Sequence, residues 1–361
     1  MGRRSVLHAK AAPQARRQIM QSISRSAIRT FALPALAAVA LAGCVRGDEA
    51  ADLDVHYTRN DSELYAGLEH DAPVVSVLPF DTQVSVLERY RSFSRVRTSD
   101  QLEGWLPSTL LLDQTLRGAL ARLTTQASRV PDQGSFRSGD TLNVHVEPYR
   151  WAPTFYQLSK DESFQVIDRM IVDRYPASAA GSLPETEPTG EDYWYLVRVP
   201  SVDEAGWLLA NMAYADVPLE VAALAQGLEI VAHFQIGSTE TEEGSQRLFK
   251  PTWLWFQSSG RGDIHDFDVM RVYQWDTRRR RYVVIRQVSG IEGYLPVEIL
   301  PGSRTGFRVL VDRDGRMHER TYAYVGRRVS YLGEAPASGI SRLTPPGGFG
   351  ERYTGRGTAS H

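Results

Sequence analysis

Val96-Arg97-Thr98-Ser99-Asp100-Gln101-Leu102-Glu103-Gly104-Trp105-Leu106-Pro107 decides the reading of the fold, because the chain writes the same pattern twice more. The second version is Val197-Arg198-Val199-Pro200-Ser201-Val202-Asp203-Glu204-Ala205-Gly206-Trp207-Leu208. The third is Ile285-Arg286-Gln287-Val288-Ser289-Gly290-Ile291-Glu292-Gly293-Tyr294-Leu295-Pro296. The first and third align without a gap, and the second carries one extra residue in its turn. A β-branched residue and Arg, then a turn, then Gly-aromatic-Leu predict a β-hairpin in each. Glycine belongs where the returning strand bends or lets another backbone approach, and the aromatic packs across the pair. Repetition of this kind marks a chain assembled from similar units.

Outward from these hairpins the chain reads as β structure throughout. Residues 59–113 alternate apolar and polar in short runs divided by turn residues, as a small barrel or sandwich requires. Asp113 reads as an N-cap. Leu116, Ala119, Leu120 and Leu123 then recur at helical spacing, predicting one amphipathic linking helix over 114–131. Strand-like runs resume over 138–219, with a Pro/Ser/Thr/Glu-rich insertion at 176–190 placed at a hairpin tip. A third β-rich region spans 226–333, and Asp312-Arg313-Asp314-Gly315 carries a tight-hairpin signal. Residues 44–58, acidic and polar, read as a tether, and the Pro/Gly/Ser-rich stretch 334–361 as a disordered tail.

The repeated element resembles the closing hairpin of bacterial SH3-like domains. Trp194-Tyr195-Leu196-Val197-Arg198 with Gly206-Trp207-Leu208-Leu209 carries the resemblance, and Leu142-Asn143-Val144-His145 is similar to that family's opening strand with His145 in an Arg position. The first copy departs from the pattern, with Ser92-Phe93-Ser94 where a tryptophan leads. The third keeps Tyr282 to Arg286 and Gly293-Tyr294, but its front half has no counterpart. The resemblance implies an all-β chain: tandem SH3-like small β-barrels, the first degenerate, one linking helix, and a third β-rich domain for which a diverged SH3-like unit is one reading.

The N-terminus has its own logic. Arg3, Arg4, Lys10, Arg16, Arg17, Arg25 and Arg29 precede an apolar run from Phe31 to Leu41, which ends in Leu41-Ala42-Gly43-Cys44. A basic segment, a short apolar segment and small residues at a cleavage point predict a secretory signal over 1–43. The run falls well short of the roughly 20 residues that span a bilayer. Met20 opens a shorter signal, so Met1 and Met20 are both candidate starts. Leu41-Ala42-Gly43-Cys44 resembles the lipobox of bacterial lipoproteins. That resemblance implies diacylglycerol on the Cys44 thiol, cleavage before it, and a membrane partner reached through that lipid. With Val45 and not Asp after the cysteine, it also implies the periplasmic face of the outer membrane. Cys44 is the one cysteine of the chain, so no internal disulfide is available in an oxidising compartment.

Composition narrows the function. A net charge of −2 gives no field to hold nucleic acid. Aromatics at 10%, with 16 Tyr and 7 Trp, suit β structure and surfaces that grip extended ligands. The histidines are scattered and form no HExxH or Cys-His arrangement. Neither a nucleophile elbow nor a phosphate-binding glycine loop is present. No catalytic residue, metal site or cofactor is therefore assigned. His265, Asp266 and Asp268, with Asp263, are the residues an unrecognised enzyme site would use, but they read as a solvated acidic turn. Arg278 to Arg281 reads as a charged hairpin tip, and Arg261-Gly262-Asp263 as a chance tripeptide. Tyr65, Tyr149, Trp151 and Tyr156, in or near turns, are the candidate ligand contacts. Trp105, Trp207 and Tyr294 are further candidates that also read as hairpin core. The expectation is a lipid-anchored, non-catalytic cell-envelope adaptor that contacts peptidoglycan or envelope proteins. The alternative is a structural subunit of an outer-membrane protein assembly.

Overall fold

The computed structural model describes residues 54–174, 190–225, 227–259, 265–300 and 305–338, all belonging to one compact unit. The expected signal peptide, Cys44, nearly all of the inserted loop and Arg261-Gly262-Asp263 lie outside these residues. The described chain is mainly strand, arranged in three seven-stranded antiparallel sheets.

The first sheet holds β1 (Asp54–Thr58), β2 (Ser62–Tyr65), β3 (Val74–Leu78), β4 (Gln83–Tyr90), β5 (Phe93–Thr98), β6 (Glu103–Pro107) and β7 (Leu111–Asp113), in the order β3-β2-β6-β5-β4-β1-β7. Helix α1 (Gln114–Ala127) follows. The second sheet holds β8 (Ser135–Ser138), β9 (Leu142–His145), β10 (Thr154–Leu158), β11 (Ser163–Asp173), β12 (Glu191–Val199), β13 (Glu204–Leu209) and β14 (Ala213–Ala215). Its order is β10-β9-β13-β12-β11-β8-β14, the first order with every strand advanced by seven. A short helix, α2 (Leu219–Ala222), leads into the third sheet. There β15 (Glu229–Glu243), β16 (Gln246–Ser258), β17 (Phe267–Asp276), β18 (Arg281–Leu300), β19 (Thr305–Arg313), β20 (Arg316–Val325) and β21 (Arg328–Pro336) pair in simple sequential order. The third sheet therefore does not repeat the topology of the other two.

Two of the three expected hairpins form, β5–β6 and β12–β13, in registers that pair Val96 with Gly104 and Val197 with Gly206. In both, the glycine lies under a neighbour. A Cβ on Gly104 would lie 2.6 Å from Leu64 Cγ, and one on Gly206 would lie 2.4 Å from Phe155 Cε1. The third expected hairpin is corrected: Ile285 to Pro296 lies within the single strand β18, which pairs with β17 up to Gly293 and with β19 from Gly293 onward. The first turn is closed by Thr98, whose hydroxyl oxygen accepts the Leu102 N–H at 3.1 Å. Gln287 stands at that place in the third copy, and the chain runs on through Val288 and the buried Ile291 as one strand, with a bulge between Ser289 and Gly293.

Several boundaries also move. Residues 54–58, read as tether, form β1, which pairs with both β4 and β7. The second β-rich region begins earlier than 138, because Ser135–Ser138 form β8. Helix α1 ends at Ala127, short of 131. Glu334–Pro336, placed in the tail, complete β21, where Glu334 pairs with Arg320 at 2.7 Å and Arg313 at 3.1 Å. Asp113 is the N-cap as expected, its side chain accepting the Leu116 N–H at 2.8 Å. The strands on either side of the insertion pair with each other to their ends, Asp173 with Glu191. Asp314 and Gly315, with φ of 54° and 79°, make the tight turn between β19 and β20.

The first sheet buries Leu64, Leu78, Val84, Val96 and Leu106 in a cluster of its own. The largest cluster runs from Phe136, Phe155 and Phe164 of the second sheet to Phe256, Phe267 and Phe307 of the third. Each such ring is worth about 1.5–3 kcal/mol when fully buried, so this seam dominates the packing energy. Gln133 fastens the seam. Its carboxamide accepts the Val297 N–H at 2.7 Å, and its backbone carbonyl accepts the His233 N–H at 2.9 Å. Helix α1 fastens the first sheet to the second: Arg117 reaches Asp81 at 2.5 Å and Glu204 at 3.2 Å.

Candidate ligand-binding clefts

Two open clefts lie where the sheets meet. The first, of ≈ 680 Å³, is bordered by Asn60, Asp61, Pro79 and Phe80 from the first sheet's turns and by Tyr156 and Gln157 on β10 with Ser159 just after it. Tyr156 sits edge-on to Phe80 at 6.2 Å. Its hydroxyl donates to Glu162 at 3.2 Å, and Ser201 donates to the same carboxylate at 2.8 Å. Burial raises the Tyr156 phenol above its ordinary value, so it stays a donor. An aromatic edge beside Asp61 and Asp203 suits a polar ligand with donor groups, such as a sugar or an amine.

The second cleft, of ≈ 560 Å³, is lined by Arg150, Arg174, Asp192 and Tyr193 of the second sheet and by Glu229 and Ser259 on the side of the third. Asp192 organises it. This buried carboxylate accepts from Arg150 at 2.6 and 3.0 Å and from Arg174 at 3.1 Å. Burial alone would raise its pKa, but the two guanidinium groups outweigh that and hold it below the ordinary carboxylate range. Two arginines on one carboxylate leave the trio net positive. Deeper in, the buried Arg169 lies over the Tyr193 ring at 4.7 Å, donates to the Asp266 carbonyl at 3.0 Å and reaches Glu229 at 3.2 Å. The cleft thus presents Arg150 and Arg174 on the second sheet's side and Glu229 on the third's, a setting for a carboxylate-bearing or zwitterionic group.

The sequence candidates divide cleanly. Trp151 is 52% exposed in the β9–β10 turn, directly after Arg150, and Tyr149 is half-buried in the same turn. Tyr156 lines the first cleft. Tyr65 and Trp105 face each other across β2 and β6, half-buried, with the Tyr65 hydroxyl donating to Glu63. Trp207 and Tyr294 are buried, at 1% and 6% exposure, inside the fold and away from either cleft wall. His265, Asp266 and Asp268 do not converge. Asp266 accepts the Leu295 N–H at 2.9 Å and Asp268 the Ser259 N–H at 2.9 Å, both holding backbone. Among the described residues no group of three His, Cys, Asp or Glu is placed to hold a metal ion. No helix among them is long and apolar enough to cross a membrane. The Arg150–Asp192–Arg174 centre was not foreseen. Its one sequence signal is an arginine between two turn aromatics.

No family model matches the chain, and no curated protein does. Among solved structures it is similar to NlpC2 from Trichomonas vaginalis, at 10% identity over 79% of this chain and 97% of that one, TM-score 0.16. It is also similar to NlpC1 from the same organism, at 11% identity over 64% of this chain and 87% of that one, TM-score 0.16. Likenesses this low decide neither fold nor function.

Proposed function

We propose that this chain is a lipid-anchored, non-catalytic binding protein of the cell envelope. Two SH3-like modules, residues 54–113 and 135–215, contact peptidoglycan or envelope proteins, and Cys44 carries the anchor at the periplasmic face of the outer membrane. The observation that supports this most is the shared seven-strand order of the first two sheets, each closed by a hairpin whose glycine lies under a packed side chain. That is a module used twice, and modules joined on one anchor gain avidity through effective concentration. The exposed Trp151 beside Arg150 gives the second module an aromatic and a cation on one turn, a combination suited to carboxylate-bearing saccharide-peptide polymer.

A sacculus pull-down with the chain from Val45 tests the reading, run alongside Trp151→Ala. Trp151 is exposed, so its loss leaves the core intact. Retention of the parent chain on sacculi and its loss in the variant are expected. Absence of binding by the parent chain refutes the wall-contact reading. Co-purification of a stoichiometric envelope protein without wall material would then favour the structural-subunit reading.

A further inference from the structure

Strand β3 is an outer strand of the first sheet, and β10 holds the same place in the second. Their surroundings differ. The first module covers β10: Gln157 donates its backbone N–H outward to Asn60 Oδ1 at 3.2 Å, and Phe80 packs on Phe155 and Tyr156. The registers equate the two strands, Leu78 pairing with Ser62 as Leu158 pairs with Leu142, so Val77 corresponds to Gln157. Val77 thus turns its backbone outward at the edge, where β3 exposes Val74 at 46%, Val75 at 41% and Val77 at 53%. Edge strands of soluble proteins are ordinarily guarded by charge, by proline or by a bulge. This one reads Pro73-Val74-Val75-Ser76-Val77-Leu78-Pro79, with a proline at either end and a bulge at Val75 but no charge.

The stretch is also a palindrome of chemistry about Ser76. If two copies meet antiparallel with a two-fold axis at Ser76, the exposed Val75 and Val77 face each other on both sides of the axis and the two serines meet on it, while Leu78 stays buried in its own sheet's core. A two-fold contact requires such self-complementarity, whereas an unrelated peptide would not. The prolines, which have no N–H to donate, and the bulge at Val75 keep the ladder short.

We propose that the chain self-associates through β3, pairing with β3 of a second copy across a two-fold axis at Ser76 to join two first-module sheets. The contact is short and therefore weak in free solution, and it gains when chains are concentrated on one surface. It does not depend on what the clefts bind.

Cysteine capture tests it, since the chain from Val45 contains no cysteine and keeps the whole compact unit. Directly opposed residues in an antiparallel ladder lie within disulfide reach. Under mild oxidation Ser76→Cys is expected to form a disulfide-linked dimer much faster than Ser289→Cys, an exposed serine on β18. Adding Val77→Lys should suppress the crosslink. Mixing Val75→Cys with Val77→Cys chains should give the mixed dimer in preference to either homodimer, which tests the register without touching Ser76. Equal rates for Ser76→Cys and Ser289→Cys overturn the proposal, whatever other strand the edge takes. Homodimers as abundant as the mixed dimer also overturn it.

Discussion

A methyl group added at Gly206 would lie 2.4 Å from Phe155 Cε1, 2.7 Å from Phe155 Cζ and 2.6 Å from Val144 Cγ1. Both neighbours are fully buried, so neither ring nor isopropyl group can swing into solvent. Overpacking of a filled core costs about 1–3 kcal/mol, and the shortest contacts here place Gly206→Ala toward the upper end, about 2–3 kcal/mol. Urea titration followed by tryptophan fluorescence reads the loss as a lowered midpoint. The mechanism is tested by a cycle with Phe155→Leu. That change alone removes buried apolar volume and costs about 1–2 kcal/mol. It also opens space over residue 206, so the two costs should fall short of additive by about 1 kcal/mol or more. Gly315→Ala is the contrast. No atom lies within 4 Å of its added Cβ, but its φ of +79° costs a side chain about 1–2 kcal/mol, and that cost should be the same in either Phe155 background. If Gly206→Ala unfolds at the parental midpoint, or adds fully with Phe155→Leu, glycine at this position is not a packing requirement.

Other expectations follow from the same contacts. Asp113→Ala removes the acceptor of the Leu116 N–H and should cost about 1 kcal/mol, with a loss of helical ellipticity small against the strand signal. Thr98→Ala should weaken the β5–β6 turn by about 1 kcal/mol, measured as faster amide exchange at Leu102. His233 should make the seam acid-sensitive. Burial lowers its pKa despite the raising effects of its bond to the Ser135 carbonyl and of Asp216 and Asp132, so folding favours the neutral ring. Stability is then full above the ordinary histidine range and falls as pH drops through it toward the folded value. Urea midpoints measured from neutral to mildly acidic pH should fall less in His233→Gln than in the parent, though the buried His145 shares part of the slope. Asp192→Asn should lower the midpoint at neutral pH. That difference should vanish in acid, once pH has dropped through the depressed folded pKa of the parent carboxyl.

The all-β class was legible because short alternating runs and turn residues are local signals. So were Asp113 as a cap and Asp314-Gly315 as a turn, each decided within a few residues. What stayed hidden is long-range. Nothing near Arg150 announces that Asp192 will lie between it and Arg174, since the pairing depends on β9, β11 and β12 lying in one sheet. Gln133 is a lone amide among polar neighbours after the helix, yet it is fully buried because it reaches Val297, far along the chain. Tether and tail were overextended for the same reason. Residues 54–58 and 334–336 are polar enough to pass for linker until β4, β7 and β20 supply their ladder partners.

The third copy of the repeated stretch separates what the motif encodes from what its setting adds. Its centre lacks the threonine that closes the first turn, and Gly290, with φ of +70°, takes the place of Gln101, with φ of 66°. A left-handed residue at that point is therefore common to both, yet one chain folds back and the other runs on. The difference lies with the flanks. Thr98 accepts and donates within its own turn, whereas Val288 and Ile291 offer the chain only apolar packing, and Ile291 is buried where the strand continues. What survives in all three is the covered glycine: a Cβ at 104 would strike Leu64, at 206 Phe155, and at 293 Phe267, whose Cε2 would stand 2.1 Å away. The shared requirement is thus a strand bare enough on one face for a neighbouring apolar side chain to lie against it. Whether that strand arrives by a turn or by a bulge is set by the residues just before it.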